Sequence, residues 1–237
     1  MSQDLSSEDG GSQDAHWIPL SDLMTGLMVL FLLIAVAYMV RVEANSARIK
    51  EVAIAYSEVR DALYDDLNKE FRDDLPKWKA QIIKSDLSVR FSEPEVLFAQ
   101  GSAELKPEFQ SILSDFFPRY VRILTSAKYR GSIAEIRIEG HTSTDWTGAV
   151  SEDDAYFRNM ELSQARTRSA LEFALGLPDV AGEKEWLRQY LTANGLSSSR
   201  HILAPDGTED AARSRRVEFR VRTDAETRIA KILEVSK

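Results

Sequence analysis

Residues 23–40 read LMTGLMVLFLLIAVAYMV, 18 positions without a charged side chain. At the helical rise such a run covers about 27 Å, close to the ~30 Å hydrocarbon thickness of a bilayer. Counting back to Trp17 completes a span, so residues 17–40 are expected to form a single transmembrane helix. A cleaved secretory leader competes with this, because Ala35-Val36-Ala37 has the small-x-small pattern of a cleavage site. Against it, residues 1–16 contain no Lys or Arg and the apolar run is too long. The chain has no cysteine, which excludes both disulfides and a lipidated N-terminal cysteine. The helix is therefore expected to be the anchor.

Within Ile18–Val40 one residue ionises, Asp22. It has two readings. Ser21 can serve as an N-cap, with Asp22 in the first helical turn near the positive end of the helix dipole. Alternatively, Asp22 lies inside a membrane-embedded interface and takes up and releases a cation, since intramembrane carboxylates mark ion paths or polar partners. Thr25, Gly26 and Val29 follow at three, four and seven positions, so small and weakly polar groups share its face.

The flanks point the other way from the topology reached below. Asp4, Glu8 and Asp14 precede the span and Arg41, Arg48 and Lys50 follow it, which by the positive-inside rule would keep the C-terminal part in the cytoplasm. Roughly 200 residues follow the span, enough for a connector and one domain of ordinary size. The net charge of −8 gives no sign of nucleic-acid binding. Residues 1–16, rich in Ser, Asp and Gly, are expected to be disordered.

From Arg41 to about Arg72 an apolar stripe of Ile49, Val52, Tyr56, Val59, Leu63, Leu67 and Phe71 recurs at helical spacing. It continues the membrane helix outward as a linker over 41–86. The stripe can pair with a copy of itself or pack on its own domain. Over 87–237, strands are expected at 87–91, 95–98, 133–139 and 216–221. Helices are expected at 107–125, 159–175, 183–194 and, at the end, 223–235. This alternation predicts an α+β chain whose outer part is a βαβαβ two-layer sandwich.

Four separated motifs then carry a family resemblance. Phe98-Ala99-Gln100-Gly101-Ser102-Ala103-Glu104-Leu105-Lys106-Pro107 resembles the opening of OmpA-like peptidoglycan-binding domains, and Ile138-Glu139-Gly140-His141-Thr142 resembles their central strand and turn. Asn159, Leu162, Ser163 and Arg166 match the NxxLSxxRA helix, with Thr167 in place of its alanine, and Arg215-Arg216-Val217-Glu218-Phe219 matches the last strand. An acidic membrane helix joined to such a domain resembles MotB-type stator subunits. Within that class, Trp17 to Met28 and the variant Gly140-His141-Thr142-Ser143 are most similar to the ZorB family of Zorya anti-phage motors.

The resemblance implies a single-pass inner-membrane protein with residues 1–16 cytoplasmic and 41–237 periplasmic, overruling the charge count of the flanks. It implies a homodimer inside a ring of a multi-span MotA/ZorA-like channel subunit, with Asp22 as the ion-carrying carboxylate, most simply for protons. It also implies peptidoglycan as ligand, with Arg166 on a diaminopimelate carboxylate of the stem peptide, a charge-assisted contact. Asn159 would hold the turn or the ligand backbone and Leu162 would pack beneath the site. Family members carry an acid directly after Gly-His-Thr to meet the ligand ammonium. Here that position is Ser143, and Asp145 is taken as the acid, with Glu152, Asp153 and Asp154 as rivals. Without the motif, Arg166 would read as a surface arginine paired with Glu161 or Glu172. His16, His141 and His201 show no metal spacing, and no P-loop or nucleophile elbow occurs, so neither cofactor, metal nor catalysis is expected. A flagellar-type stator and a passive cell-wall tether are the alternative functions.

Overall fold

The computed structural model describes residues 14–92, 97–99 and 101–224. Of residues 1–16, expected to be disordered, 14–16 belong to a helix and 1–13 lie outside the described residues, as do the first part of the 95–98 strand and the terminal helix beyond 224.

One helix, α1 (Asp14–Phe71), runs for 58 residues, roughly 87 Å at the helical rise. Its segment Ser21–Ala47 is long and apolar enough to cross a membrane, and none of it is buried against the rest of the chain. Helix α1 begins well before Ser21, so Ser21 does not cap it; the Ser21 carbonyl instead accepts from Thr25 Oγ1 at 2.8 Å. Asp22 therefore sits inside the helix, and the first-turn explanation of its charge is lost.

The outer part is a five-stranded sheet with helices on one face. The strands are β1 (Ala80–Ile83), β2 (Ser88–Phe91), β3 (Ile133–His141), β4 (Leu191–Gly195) and β5 (Arg216–Thr223), in the order β1-β2-β5-β3-β4. Only β3 and β4 pair in parallel; the other pairs are antiparallel. The helices are α2 (Pro107–Leu124), α3 (Glu152–Gly176), α4 (Lys184–Tyr190) and the single turn α5 (Ala211–Ser214). Alternation along the strands divides the sheet. Ile136, Ile138, Val217, Phe219 and Val221 face the helices and are buried. Phe116 of α2 meets Phe219 and Phe91 at centroid distances of 5.2 and 5.1 Å, placing an aromatic core between sheet and helix.

Residues 41–86 do more than connect. Leu63, Leu67 and Phe71 at the end of α1 are completely buried in that core, and Phe71 lies 5.2 Å from Phe116. Arg119 of α2 binds Glu70, Asp74 and Asp115 at 2.8–3.1 Å and donates to the Glu70 carbonyl, clamping the end of α1 to the domain. From Val59 onward the apolar stripe is therefore used by its own domain. That leaves only the part nearer the membrane for pairing with a copy. Strand β1, unexpected from sequence, also falls in this stretch and pairs with β2.

Three other segments differ from expectation. The helix expected over 183–194 stops at Tyr190, and Leu191–Gly195 form β4 against β3. Phe98 makes only an isolated bridge to Leu105 across a turn in which Gly101 has φ +66°, so the described end of that segment, 97–98, forms no strand. Helix α3 starts at Glu152 rather than 159, because Ser151 Oγ accepts from the Asp154 amide at 3.1 Å and caps it.

Gly140 and Gly195 are adjacent in the β3–β4 register and lie directly beneath α3. A Cβ on Gly140 would meet Thr167 Cγ2 at 2.7 Å and the Ser163 carbonyl at 2.9 Å; one on Gly195 would meet Gln164 Cα at 2.6 Å. These contacts set the height of the turn that carries Arg166. Gly195→Ala is expected to destabilise the domain by about 2–4 kcal/mol, because the clash is with helix backbone that cannot rotate away. Gly131→Ala, where nothing lies within 4 Å, is expected to change stability by under about 0.5 kcal/mol. Urea unfolding midpoints of the two variants check the difference; equal shifts would mean α3 is free to lift.

Candidate functional site

Arg166 projects from α3 into a cavity of about 650 Å³ at the end of the sheet. It is 8% exposed. Its Nε donates to the Ser102 carbonyl at 2.9 Å and its Nη2 to the Ala99 carbonyl at 3.3 Å, while its guanidinium lies 5.0 Å from the Phe98 ring centre. No carboxylate lies within ion-pair distance of it among the described residues. The surface pairing with Glu161 or Glu172 does not form; Arg168 takes Glu172 instead. Burial, with Arg215 nearby, pushes Arg166 down to about 10, which still leaves it a cation at neutral pH. A buried cation with no carboxylate at ion-pair distance is costly, and a ligand carboxylate would relieve it.

The remaining sequence-predicted residues converge on the same cavity. Asn159, Leu162 and Asp145 line it with Arg166. Asn159 is buried and its Nδ2 donates to the Asp145 carbonyl at 3.3 Å, so it holds the turn that presents the exposed Asp145 side chain. Leu162 is half-buried in the cavity wall. The rival acids do not line it: Asp154 binds Arg158 at 2.8 Å and accepts from the Val150 amide, and Glu152 and Asp153 are exposed in the first turn of α3. Those three serve the positive end of the helix.

Sequence reasoning passed over Thr142, Trp146 and Arg215 as cavity residues. The Thr142 hydroxyl is buried without a hydrogen-bond partner among the described residues. Thr142 and Arg215 stood inside quoted motifs, so their spacing was available; Trp146 sits in the longer loop, where no pattern marks it.

On the sheet face away from the helices a second cluster is buried. Glu139 and Glu218 lie opposite one another in the β3–β5 register, and their carboxylates lie with a ring nitrogen of His141 within 4.8 Å of one another. Sequence spacing missed this trio because Glu218 comes from another strand. The donor set suits a divalent metal in kind, but the charge around it does not. Arg90 and Arg216 hold Glu218 at 2.8 and 2.5 Å, and Arg137, Arg200 and Arg220 stand 3.8–4.0 Å from Glu139, so a further cation would be repelled.

Burial first, and then Arg216, push His141 down to about 3. Its ordinary value of about 6.5 is that of the unfolded chain. Between these values the unfolded state binds the extra proton, so the contribution of His141 to stability is complete above pH 6.5 and is lost as pH falls toward 3. Glu218, also held below the usual carboxylate range despite its burial, acts in the same direction, while Glu139, raised by burial, opposes both. His141→Gln is expected to flatten the acid side of the stability curve by up to about 1.4 kcal/mol per pH unit relative to wild type. Chemical denaturation between pH 7 and 4 reads this, and parallel curves for the two proteins would mean that His141 is hydrated.

Comparison with known proteins gives the chain its relatives. No family model matches it. The Zorya protein ZorB of Escherichia coli is 49% identical over 219 residues, covering 92% of each chain. This chain belongs to the ZorB family. A crystal structure of a MotB-like protein from Desulfovibrio vulgaris superposes with a TM-score of 0.51 at 27% identity, over 73% of this chain and 94% of that one. The cell-wall anchor of the type VI secretion system from Pseudomonas aeruginosa superposes with a TM-score of 0.44 at 23% identity, over 66% and 96%. The MotB-like relative supports the α+β class, and its match extends over the domain that holds the Arg166 cavity.

Proposed function

We propose that this ZorB-family chain is the cell-wall anchor of an ion-driven inner-membrane rotary motor that acts in anti-phage defence. Its N-terminus is cytoplasmic and its outer domain periplasmic. The outer domain grips the stem peptide of peptidoglycan, with Arg166 on a diaminopimelate carboxylate, Asp145 on the ammonium, Asn159 holding the Asp145 turn and Leu162 against the aliphatic chain. A buried cation with no carboxylate within ion-pair distance among the described residues is the feature that such a ligand completes.

In the membrane, two copies stand inside a ring of a multi-span channel subunit, each presenting Asp22 to it. Protonation removes a charge from that interface and deprotonation restores it, so proton flow biases which partner surface each helix prefers. The ring turns and the wall-bound pair stays fixed. Continuity of α1 from the membrane to the clamp at Arg119 suits it to transmit the reaction force. A flagellar stator would use the same residues, and the MotB-like structure favours that second reading; the Zorya relative, at far higher identity, favours defence. Phage plating on cells carrying the native operon with wild-type or Asp22→Asn protein, with swimming scored in parallel, tests the proposal. A swimming defect would move the chain to flagella, and no change in either assay would leave a passive tether.

A further inference from the structure

The Arg166 cavity is larger than one amino-acid residue needs, and its mouth is built. At about 650 Å³ it has the size of sites that enclose whole organic ligands. The Phe98 ring is covered by the Arg166 guanidinium, and the other aromatic residue that lines the space among the described residues is the half-buried Trp146. The loop that carries Trp146 is tied at several points. The Thr144 amide and hydroxyl both donate to Glu209, Asn159 holds the Asp145 carbonyl, the Ala149 amide donates to the Trp146 carbonyl at 3.2 Å, and Ser151 caps α3. Such fixing lowers the ordering cost of binding. Thr142, Ser143 and Thr147 line the same cavity, and the buried Thr142 hydroxyl has no hydrogen-bond partner among the described residues.

An aromatic side chain and three hydroxyl-bearing ones in one cavity suit a ligand that is apolar on one face and polar at its edge. A pyranose ring has that form, with axial C–H groups on its face and hydroxyl or acetamido groups around it. We infer that residues 143–151 add a second subsite to this cavity, in which Trp146 stacks on an amino-sugar ring of the glycan strand. The inference rests on the wall-ligand reading and extends it from the stem peptide to the saccharide. Trp146 is then a specificity-determining residue, selecting peptide still attached to its glycan over released peptide.

The test is calorimetric titration of the full chain in detergent micelles with two probes. One is the free stem tripeptide ending in diaminopimelate; the other is the same tripeptide on an N-acetylglucosamine–N-acetylmuramic acid disaccharide. Wild type is expected to bind the disaccharide form roughly tenfold more tightly, the effect of one good stacking contact. Trp146→Ala is expected to erase that gain while binding the bare tripeptide within about twofold of wild type. Trp146→Phe, which keeps a smaller ring, should retain part of the gain. Equal wild-type affinity for the two probes would overturn the subsite while leaving the peptide site standing, as would equal loss of both probes in Trp146→Ala or complete loss of the gain in Trp146→Phe. Failure of wild type to bind the bare tripeptide would overturn the wall-ligand reading and the subsite with it.

Discussion

Asp22→Asn is expected to abolish phage protection while leaving membrane insertion, assembly with the channel subunit and swimming unchanged. Asparagine keeps the volume and most of the polarity of aspartate but cannot exchange a proton, so the substitution isolates the charge. The cost of a charged side chain at the centre of a span is about 2.5–3.5 kcal/mol on insertion scales, so the variant should enter the membrane at least as readily as wild type. Structural explanations have lost ground, because α1 starts at Asp14 and Asp22 is neither a cap nor a first-turn residue. Asp22, Thr25, Gly26 and Val29 are all exposed along α1, and no described part of the chain covers them. Each proton that crosses 100 mV releases about 2.3 kcal/mol, energy that an asparagine cannot couple to rotation. Phage plating at matched expression, together with co-purification of the channel subunit, is the measurement. Lost protection with lost assembly would make Asp22 a packing residue, and full protection would remove the motor from the proposal.

The sequence was most legible where a pattern has one structural solution. An 18-residue apolar run has little choice but a helix, and the alternation of Ile and charge in Ile133–Glu139 forces one face of β3 inward. Residues Asn159, Leu162 and Arg166 were legible as a set because one motif spaces them, and they line one cavity with Asp145, which stands two places beyond its motif's acidic position. What failed was short and set by tertiary contacts. Leu191–Gly195 has helical neighbours and no local signal strong enough to mark a strand; it becomes β4 because β3 offers a parallel edge and Gly195 lets α3 pass over it. Strand β1 is equally short and was hidden in the expected linker. The acids Glu152 to Asp154 were weighed as rivals to Asp145, and Ser151 before them signals the helix start that they occupy. The buried Glu139–His141–Glu218 cluster joins residues from two strands, and no local spacing reports that pairing.

Arg166→Ala is expected to release the protein from purified sacculi, lowering affinity by about 2–3 kcal/mol, or roughly thirty- to 160-fold. The residue has two tasks that the variant removes together: it holds the Ala99 and Ser102 carbonyls, and it presents a cation to the cavity. Arg166→Lys separates them. Lysine keeps the charge but replaces the planar fork with a single ammonium, so it can hold at most part of the carbonyl pair and cannot meet a carboxylate through two parallel N–H bonds. Partial binding by Arg166→Lys would assign most of the energy to charge, and loss as deep as in alanine would assign it to geometry. Asp145→Asn supplies the opposing control. Asp145 is exposed and its carbonyl rather than its carboxylate is held by Asn159, so the fold should not register the change, while a ligand ammonium should. Pelleting with sacculi reads all three variants. Unchanged pelleting of Arg166→Ala would show that the wall is gripped elsewhere, whereas weak binding by both Arg166→Ala and Asp145→Asn would place the two charges of one zwitterionic residue at the two ends of this cavity.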